Sequence, residues 1–269
     1  MNRKIFDYDE GFINNANIEQ KTHFDKYETD YGTLVIGDCR DVMPSFPGKS
    51  VVDLVLTDPP YKGVNPVSGF DSVTAKKYNV DKNDIDYYSK DVNYMDWIPK
   101  LKYILKDTGV VVIFEDADNI FNLYNAIINS GLHYGGLGIW YIPNKLSGKG
   151  NSPLTSYEIW MWCTRSKNYY YNSDYILHDV LIHNKENDDK FISDKRKIFG
   201  KKPVKILTSI INAFTPSNGT VLDCFAGSGS TCLAARLTNR YFFAIEIDKD
   251  LKEDILHKSL SDIKDLRSY

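Results

Sequence analysis

The chain has 269 residues, 42% hydrophobic and 26% charged, values typical of a folded globular protein with one large domain. Its net charge of −3 argues against a surface that is basic all over and coats nucleic acid. No apolar run approaches the ~20 residues needed to cross a bilayer, the first residues lack a signal-peptide core, and the cysteines show no paired metal-ligand spacing. We therefore predict a cytoplasmic protein without a membrane partner.

The amino-terminal part of the sequence has little regular pattern. Residues 1–31 are polar and show no helix or strand period, so we predict an amino-terminal arm before the main domain at 32–269. Residues 33–36 (TLVI) then predict a strand that ends at Gly37-Asp38. An acidic side chain at the carboxyl end of such a strand can accept a hydrogen bond from a ligand amine.

The sequence VVDLVLTDPPY at 51–61 is the most informative stretch. Five of its first six residues are apolar, which predicts a strand buried on both faces that stops at a proline pair. In open α/β sheets ligands bind beyond the carboxyl ends of the strands, where Asp58, Pro59, Pro60 and Tyr61 would lie. A carboxylate, carbonyls on a stiff turn and an aromatic ring could hold the exocyclic amine of a base. An ordinary Asp-Pro turn would have the same sequence.

The next part of the chain alternates between predicted strands and helices. The stretch 62–93 has no clear pattern, which in a compact domain is typical of a lid or a binding loop. Residues 94–105 predict a helix, with Pro99 expected to kink it or to mark its true start. Residues 110–114 predict a buried strand and 118–130 a helix. This alternation predicts a parallel sheet with crossover helices.

A basic segment follows two longer strands. The strands, 137–142 and 157–164, are expected as an antiparallel pair at one edge of the sheet. The stretch 165–202 is aromatic and basic with weak periodicity. From 140 to 205 there are 12 Lys and Arg against 7 Asp and Glu, a balance of +5, so the rest of the chain carries −8. This predicts a DNA-facing insert, although a solvated loop would have the same composition.

The carboxyl-terminal third contains a second candidate site. A strand at 220–223 leads into a glycine turn at 225–230 (FAGSGS), and the strand at 241–245 ends at Glu246. Glycines allow close backbone approach to a ligand, and an acid 19 residues after Gly227 suits two ribose hydroxyls, so we predict a nucleoside cofactor. The turn is not GxGxxG, and no GK[ST] that would hold a triphosphate is present. Helices are predicted at 203–214, 231–237 and 248–266.

Two motifs carry a family resemblance. DPPY at 58–61 and DxFxGSG at 223–229 together resemble the S-adenosylmethionine-dependent amino-methyltransferases of DNA. Because DPPY precedes the glycine motif, with a recognition segment between them, the chain is similar to their circularly permuted beta class over most of 33–262. The resemblance implies a Rossmann-like α/β fold with a mixed, mostly parallel, seven-stranded sheet and helices on both faces. It also implies a mobile target loop at 62–93 and a small inserted target-recognition segment at 165–202.

The resemblance implies how the target base is held. Asp58 and the Pro59 carbonyl would accept hydrogen bonds from the target amino group, while Tyr61 would stack on the flipped base. These bonds favour a pyramidal nitrogen whose lone pair points at the methyl group, with no metal and no covalent intermediate. A duplex hides this amine, so the base must leave the stack. The predicted catalytic residues are Asp58, Pro59, Pro60 and Tyr61.

The resemblance also implies a site for S-adenosylmethionine, again without metal. Glu246 would hold the ribose hydroxyls, Asp38 the adenine amino group, and the glycine turn the methionine part. Lys202-Pro203 matches a Lys-Pro of the family beside that part, but the His that relatives often carry a few residues earlier is absent. The predicted cofactor-binding residues are Asp38, Cys39, Asp58, Lys202, Asp223, Phe225, Ala226, Gly227, Ser228, Gly229, Glu246 and Ile247.

The function implied is transfer of a methyl group to N6 of adenine in double-stranded DNA. A cytosine-N4 enzyme of the same fold is the nearest alternative, because both amines need the same acceptor, and Ser in place of Asp58 would favour cytosine. A catalytically silent relative that binds DNA or cofactor is a further alternative, which the intact Asp58, Tyr61 and Glu246 disfavour. The resemblance also allows a homodimer and a cognate restriction enzyme as partners.

Overall fold

The computed structural model describes residues 24–46, 50–60, 92–145, 153–185 and 201–260. Most of the predicted amino-terminal arm, Tyr61, nearly all of the predicted target loop and the basic cluster at 195–197 therefore lie outside the described residues.

The described residues build one nine-stranded sheet with helices on both faces. The strands lie in the order β1-β2-β9-β8-β3-β4-β6-β5-β7. Their bounds are β1 (Asp25–Thr29), β2 (Gly32–Ile36), β3 (Val52–Thr57), β4 (Leu105–Glu115), β5 (His133–Tyr141), β6 (Tyr157–Thr164), β7 (Val180–Ile182), β8 (Thr220–Asp223) and β9 (Tyr241–Glu246). The helices are α1 (Cys39–Val42), α2 (Tyr94–Ile104), α3 (Ile120–Asn129), α4 (Val204–Phe214), α5 (Ser230–Leu237) and α6 (Lys252–Leu260), with 3₁₀ turns at Met43–Ser45 and Lys249–Leu251.

Strand alternation explains the two layers. In β3, Leu54 and Leu56 pack into the cluster that α4, α5 and α6 cover, whereas Val55, between them, packs into the cluster that α1, α2 and α3 cover. Successive side chains point to opposite faces of a strand, so a strand with helices on both sides carries apolar residues on both faces. All of β3 is buried, and the predicted mixed, mostly parallel α/β fold is confirmed.

Both edges of the sheet differ from the prediction of seven strands. Seven strands, from β2 to β5 in the sheet order, form its centre, and β1 and β7 are added outside them. Strand β1 lies in the segment 1–31, for which the sequence pattern predicts no strand, and it pairs antiparallel with β2. An edge strand has only one neighbour, and DKYET is polar and part-exposed, so it lacks the apolar pattern that reveals inner strands. The predicted antiparallel pair is β5 and β6, with β7 outermost.

Several element ends also differ. Strand β4 begins at Leu105, which the sequence pattern places in a helix, and it runs through 106–109, which the pattern places between that helix and the strand. Helix α2 begins at Tyr94 with Pro99 inside it, because the Asn93 side chain caps the helix by accepting from Met95 N at 3.0 Å. No helix in the described ranges is long and apolar enough to cross a membrane.

Candidate active site

Acidic residues from five strands meet at one edge of the sheet. Strands β2, β9, β8, β3 and β4 run parallel, so their carboxyl ends lie on the same side. Asp223, Glu246 and Glu115 are the last residues of their strands, and Asp58 directly follows β3. Asp38 follows β2 after one glycine. This edge is where ligands of open α/β sheets bind.

The glycine turn (225–230) leaves room beside its backbone. Gly227 and Gly229 have φ of +50° and +75°, which L side chains rarely adopt. Among the described residues, a Cβ on Gly227 would meet nothing nearer than the Phe225 carbonyl oxygen at 3.8 Å, whereas one on Gly229 would press on Ile255 Cα at 3.0 Å. Gly227 is thus beside open space, and Gly229 allows α6 to pack closely.

Glu246 holds the glycine turn from the neighbouring strand. Its Oε2 accepts from Gly227 N at 2.7 Å, and its Oε1 accepts from Asp248 N at 2.8 Å. The residue is buried, and burial raises the pKa of its carboxyl to about 7, although these two backbone hydrogen bonds oppose the shift. A carboxylate has further lone pairs, so it can still accept from a ligand hydroxyl.

Asp223 fixes the other end of the turn. Its Oδ1 accepts from Thr57 Oγ1 at 2.7 Å and from Phe225 N at 3.1 Å. Burial raises the pKa of this carboxyl to about 6, against the effect of hydrogen bonds from Thr231 and Thr57. These hydrogen bonds connect the turn to β3, so in this structure Asp223 stabilises the conformation of the turn. Among the turn residues, Phe225 packs edge-on against Trp97 at 5.2 Å, Ala226 N donates to the Ile245 carbonyl, and Ser228 Oγ lies 2.9 Å from Ser230 Oγ.

Asp58 contacts a lysine from the far end of the chain. Lys202 Nζ donates to Asp58 Oδ2, lies 3.1 Å from Glu158 Oε2, and lies 5.2 Å from the Phe114 ring centroid. Lys202 is 6% exposed. Burial by itself would lower the pKa of its ammonium, but the carboxylates of Asp58 and Glu158 outweigh this effect, and the pKa is raised.

Glu158 and Glu115 are site residues that the sequence analysis missed. Glu158 is the second residue of β6, and burial would raise the pKa of its carboxyl, but Lys202 and Lys145 outweigh this effect and lower it. Glu115 accepts a hydrogen bond from Tyr94 Oη, which ties the start of α2 to the end of β4. Burial raises the pKa of Glu115 to about 7, and the charge of Asp58 adds to the shift. The sequence feature that could have revealed both residues is an acidic side chain at or next to one end of an apolar strand.

Asp38 has a different set of contacts from the one the resemblance implies. Its carboxylate caps α1 by accepting from Arg40 N at 2.8 Å, and it also accepts from the Arg40 guanidinium, with Nη2 at 2.5 Å. Burial would raise the pKa of Asp38, but the bonds and charge of Arg40 outweigh it and lower the pKa. These contacts take up most of the lone pairs of the carboxylate.

Four other predicted site residues lie near this edge: Cys39 and Ile247 from the predicted cofactor site, and Pro59 and Pro60 from the predicted catalytic tetrad. Cys39 packs in the apolar cluster beneath α1, where burial raises the pKa of its thiol to about 12, and Ile247 is 50% exposed. Pro59 is buried and Pro60 half-buried directly after Asp58. No group of three His, Cys, Asp or Glu in the part of the chain that the structure describes could hold a metal ion.

Comparison with known proteins agrees with this geometry. The DNA methylase family, which groups N6 and N4 enzymes, matches residues 52–257. The chain belongs to this family. The type II methyltransferase M2.MboI of Moraxella bovis is 26% identical over 87% of this chain and 89% of its own length.

Solved structures share the fold. The PvuII DNA methyltransferase, described as cytosine-N4-specific, has a TM-score of 0.67 at 17% identity and covers 86% of this chain and 87% of its own. The complex of M1.HpyAVI with S-adenosylmethionine (SAM) has a TM-score of 0.61 at 18% identity, over 84% and 98% of the two chains. The chain is therefore a DNA methyltransferase of the N6/N4 family, and its predicted cofactor, S-adenosylmethionine, is supported at the level of the family.

The residues of the edge fit that cofactor. Open space lies beside Gly227, where a methionine part needs close backbone approach. Glu246, at the end of the next strand, offers a carboxylate whose position is fixed by two backbone hydrogen bonds. Asp38 fits the adenine amino group less well, because Arg40 already uses its carboxylate.

Proposed function

We propose that this protein transfers a methyl group from S-adenosylmethionine to N6 of adenine in double-stranded DNA, after the base has flipped out of the helix. The observation that carries the proposal is the position of Asp58. It stands at the carboxyl edge of the sheet, beside the strand that leads into the glycine turn and two strands from the carboxylate of Glu246. An acceptor for an amine and a cradle for a nucleoside thus share one edge.

The residues supply positioning and electrostatics. S-adenosylmethionine supplies a methyl group on a positively charged sulfur, so the methyl carbon is already electrophilic. The weak partner is the aromatic amine, whose lone pair is delocalised into its ring. Asp58 and the Pro59 carbonyl would accept hydrogen bonds from its two N–H groups and favour a pyramidal nitrogen, which frees the lone pair for the methyl carbon. As the N–C bond forms, the S–CH3 bond breaks to leave a neutral thioether, and the nitrogen loses one proton. Two prolines in succession keep this acceptor turn stiff.

Binding of DNA is proposed for the segments on either side of the site. Tyr61 would stack on the flipped base, 62–93 would close over it, and 165–202 would contact the duplex. The basic balance of the latter region supports this assignment. The order of the motifs, with Asp58 before the glycine turn, supports membership of the permuted beta class. M2.MboI is a type II methyltransferase, which supports a cognate restriction enzyme as partner; a homodimer is proposed from the resemblance alone.

Cytosine-N4 methylation is the second candidate, and the PvuII neighbour favours it. Both amines bind the same acceptors, so the proposal for adenine rests on an Asp, in place of Ser, at the first position of the tetrad.

The test is methylation of duplex DNA with labelled cofactor, followed by nucleoside analysis of the product. N6-methyl-2′-deoxyadenosine supports the proposal, and N4-methyl-2′-deoxycytidine replaces it with the second candidate. Absence of label from DNA over a wide range of sequences, with cofactor binding retained, would leave only a silent relative.

A further inference from the structure

A buried lysine shared by two carboxylates stands where the target amine is expected. Lys202 Nζ donates to Asp58 Oδ2 and lies 3.1 Å from Glu158 Oε2, and its side chain is 5% exposed. The family resemblance links Lys202 to the cofactor and gives no role to Glu158. The structure instead connects Lys202 to the carboxylate that is proposed to hold the amine.

Glu158 reaches this edge because of the direction of its strand. Strand β6 runs antiparallel to β4, so its first residues lie beside the carboxyl end of β4. Its side chain is 12% exposed, and its Oε2 makes no aligned hydrogen bond in the described residues. The contact with Lys202 is thus an ion pair, and this buried oxygen can still accept an aligned hydrogen bond from the ammonium. A buried carboxylate with unused acceptor capacity is costly unless a cation is close.

Asp58 has to serve two donors when the base arrives. Its Oδ2 already accepts from the Lys202 ammonium, and the target amine needs the same carboxylate. A buried ammonium cannot give up one anion without a second one within reach, since an unpaired buried charge costs several kcal/mol. Glu158 is that second anion.

We propose that Glu158 is a positioning residue that acts through Lys202: it draws the ammonium toward itself and so leaves Asp58 free to accept the target amine. The identity of the amine rests on the proposed function, whereas the coupling of Glu158, Lys202 and Asp58 does not.

Other charged groups face this trio. Lys145 Nζ lies 3.6 Å from Glu158, and Lys185 also acts on the Glu158 charge. On the other side, Glu115 and Asp223 interact with the charge of Asp58. Substituting Glu158 alters none of these four side chains, although Lys145 loses a partner too, so a change in the titration of Lys202 reports on the loss of the Glu158 charge.

The central test is Glu158→Gln, which keeps the shape and removes the charge. Single-turnover methyl transfer should fall about ten- to hundred-fold, the effect of losing one charged hydrogen-bond partner, while cofactor affinity stays the same. The alkaline limb of the rate profile should move to lower pH, because one of the two anions that hold the proton on Lys202 is gone. In a Lys202→Met background the same substitution should cause little further loss. Unchanged rates in Glu158→Gln, or fully additive losses, would overturn the proposal.

Asp53→Asn is the matched control. Asp53 is also a buried acid paired with a lysine, with Lys106 Nζ at 2.7 Å, but it lies at the opposite end of β3. Asp53→Asn should lower thermal stability without moving the alkaline limb of the rate profile. A shift of that limb in this control would show a general effect of removing any buried acid.

A readout without DNA separates this proposal from the proposed function. The ¹³Cε signal of Lys202, assigned by its absence in Lys202→Met, should titrate at lower pH in Glu158→Gln than in wild type. If Lys202→Met does not fold, assignment by Lys202→Arg serves the same purpose. A wild type that methylates no DNA would refute the proposed function alone, and an unchanged Lys202 titration would refute the coupling alone.

Discussion

At the scale of single residues, the site depends on carboxylates whose partners give them different tasks. Glu246 and Asp223 use backbone and hydroxyl donors to shape the glycine turn, and Asp58 shares a buried ammonium with Glu158. Asp38 is committed to Arg40. The same residue type therefore serves as scaffold, acceptor and cap, and the neighbouring donors decide which.

Replacing Asp58 separates holding the base from holding the cofactor. Asp58→Ala should lower single-turnover methyl transfer about 10²–10³-fold, as expected for the loss of a preorganised charged acceptor. Cofactor affinity, measured by calorimetry on the same preparation, should change little, because the bond is made to the target amine. Methyl transfer by Asp58→Ala at the wild-type rate would show that the amine is held elsewhere.

The buried acids should make the apoprotein less stable as the pH rises toward neutrality. Folding raises the pKa of Glu115 and Glu246 from about 4.3 to about 7. The folded state then binds more protons than the unfolded state between these values, so the contribution is complete below pH ~4.3 and is lost as the pH rises through 7. Glu246→Gln should flatten the slope of unfolding free energy by about 1.4 kcal/mol per pH unit in this window. Denaturant titrations at pH 5, 6, 7 and 8 measure it, and parallel curves for the two proteins would contradict it.

At the scale of elements, the glycine turn combines two separate demands. It connects β8 to α5, and both of its left-handed residues are glycines. One of them leaves space on the ligand side, and the other allows α6 to approach the turn. Neither demand is visible from the motif letters, since both positions read as Gly.

Alanine at the two glycines should produce different defects. Left-handed backbone costs an alanine about 1–2 kcal/mol at either position. Gly229→Ala adds a clash with Ile255 Cα at 3.0 Å, so it should be the more destabilising change. Gly227→Ala projects its methyl group into open space and should mainly weaken cofactor binding. Thermal unfolding and calorimetry of both variants provide the comparison; equal loss of affinity with equal stability would refute the distinction.

At the scale of the whole molecule, charge is divided between a basic region and an acidic body. The region 140–205 has a balance of +5, and the remaining residues carry −8. An acidic body repels phosphates, so DNA should approach from the basic side. The Lys202 end of this region reaches the site, since Lys202 contacts Asp58.

Neutralising the basic cluster Lys195, Arg196 and Lys197 should weaken binding to DNA of any sequence. Removal of one lysine or arginine that pairs with a phosphate should reduce the slope of log affinity against log salt by ~0.9. Binding isotherms at three or more salt concentrations measure the slope. The control is neutralisation of Lys249 and Lys252, which follow β9 and lie outside the basic region. A salt slope that stays at the wild-type value would show that these three side chains do not contact phosphates.

The sequence by itself determined the features that short stretches encode. The apolar run before Asp58 specified a strand buried on both faces, and the spacing from Gly227 to Glu246 specified a strand-turn-helix-strand unit, because these patterns follow from local geometry. Alternation of helices and strands specified the parallel centre of the sheet. These features were sufficient to predict the fold and the edge at which the acidic residues meet.

Only the tertiary structure decided which side chains meet there. Asp58 and Lys202 are 144 residues apart, and the sheet order that puts β6 next to β4 brings Glu158 to Lys202. Edge strand β1 was missed because its polar sequence DKYET lacks the apolar pattern of inner strands, and β7 because three residues are too few to show a strand period. The carboxylate of Asp38 caps α1 and also accepts from the Arg40 guanidinium, so little capacity remains for a ligand amine. Contacts between distant segments depend on how the strands are ordered, and no local pattern records that order.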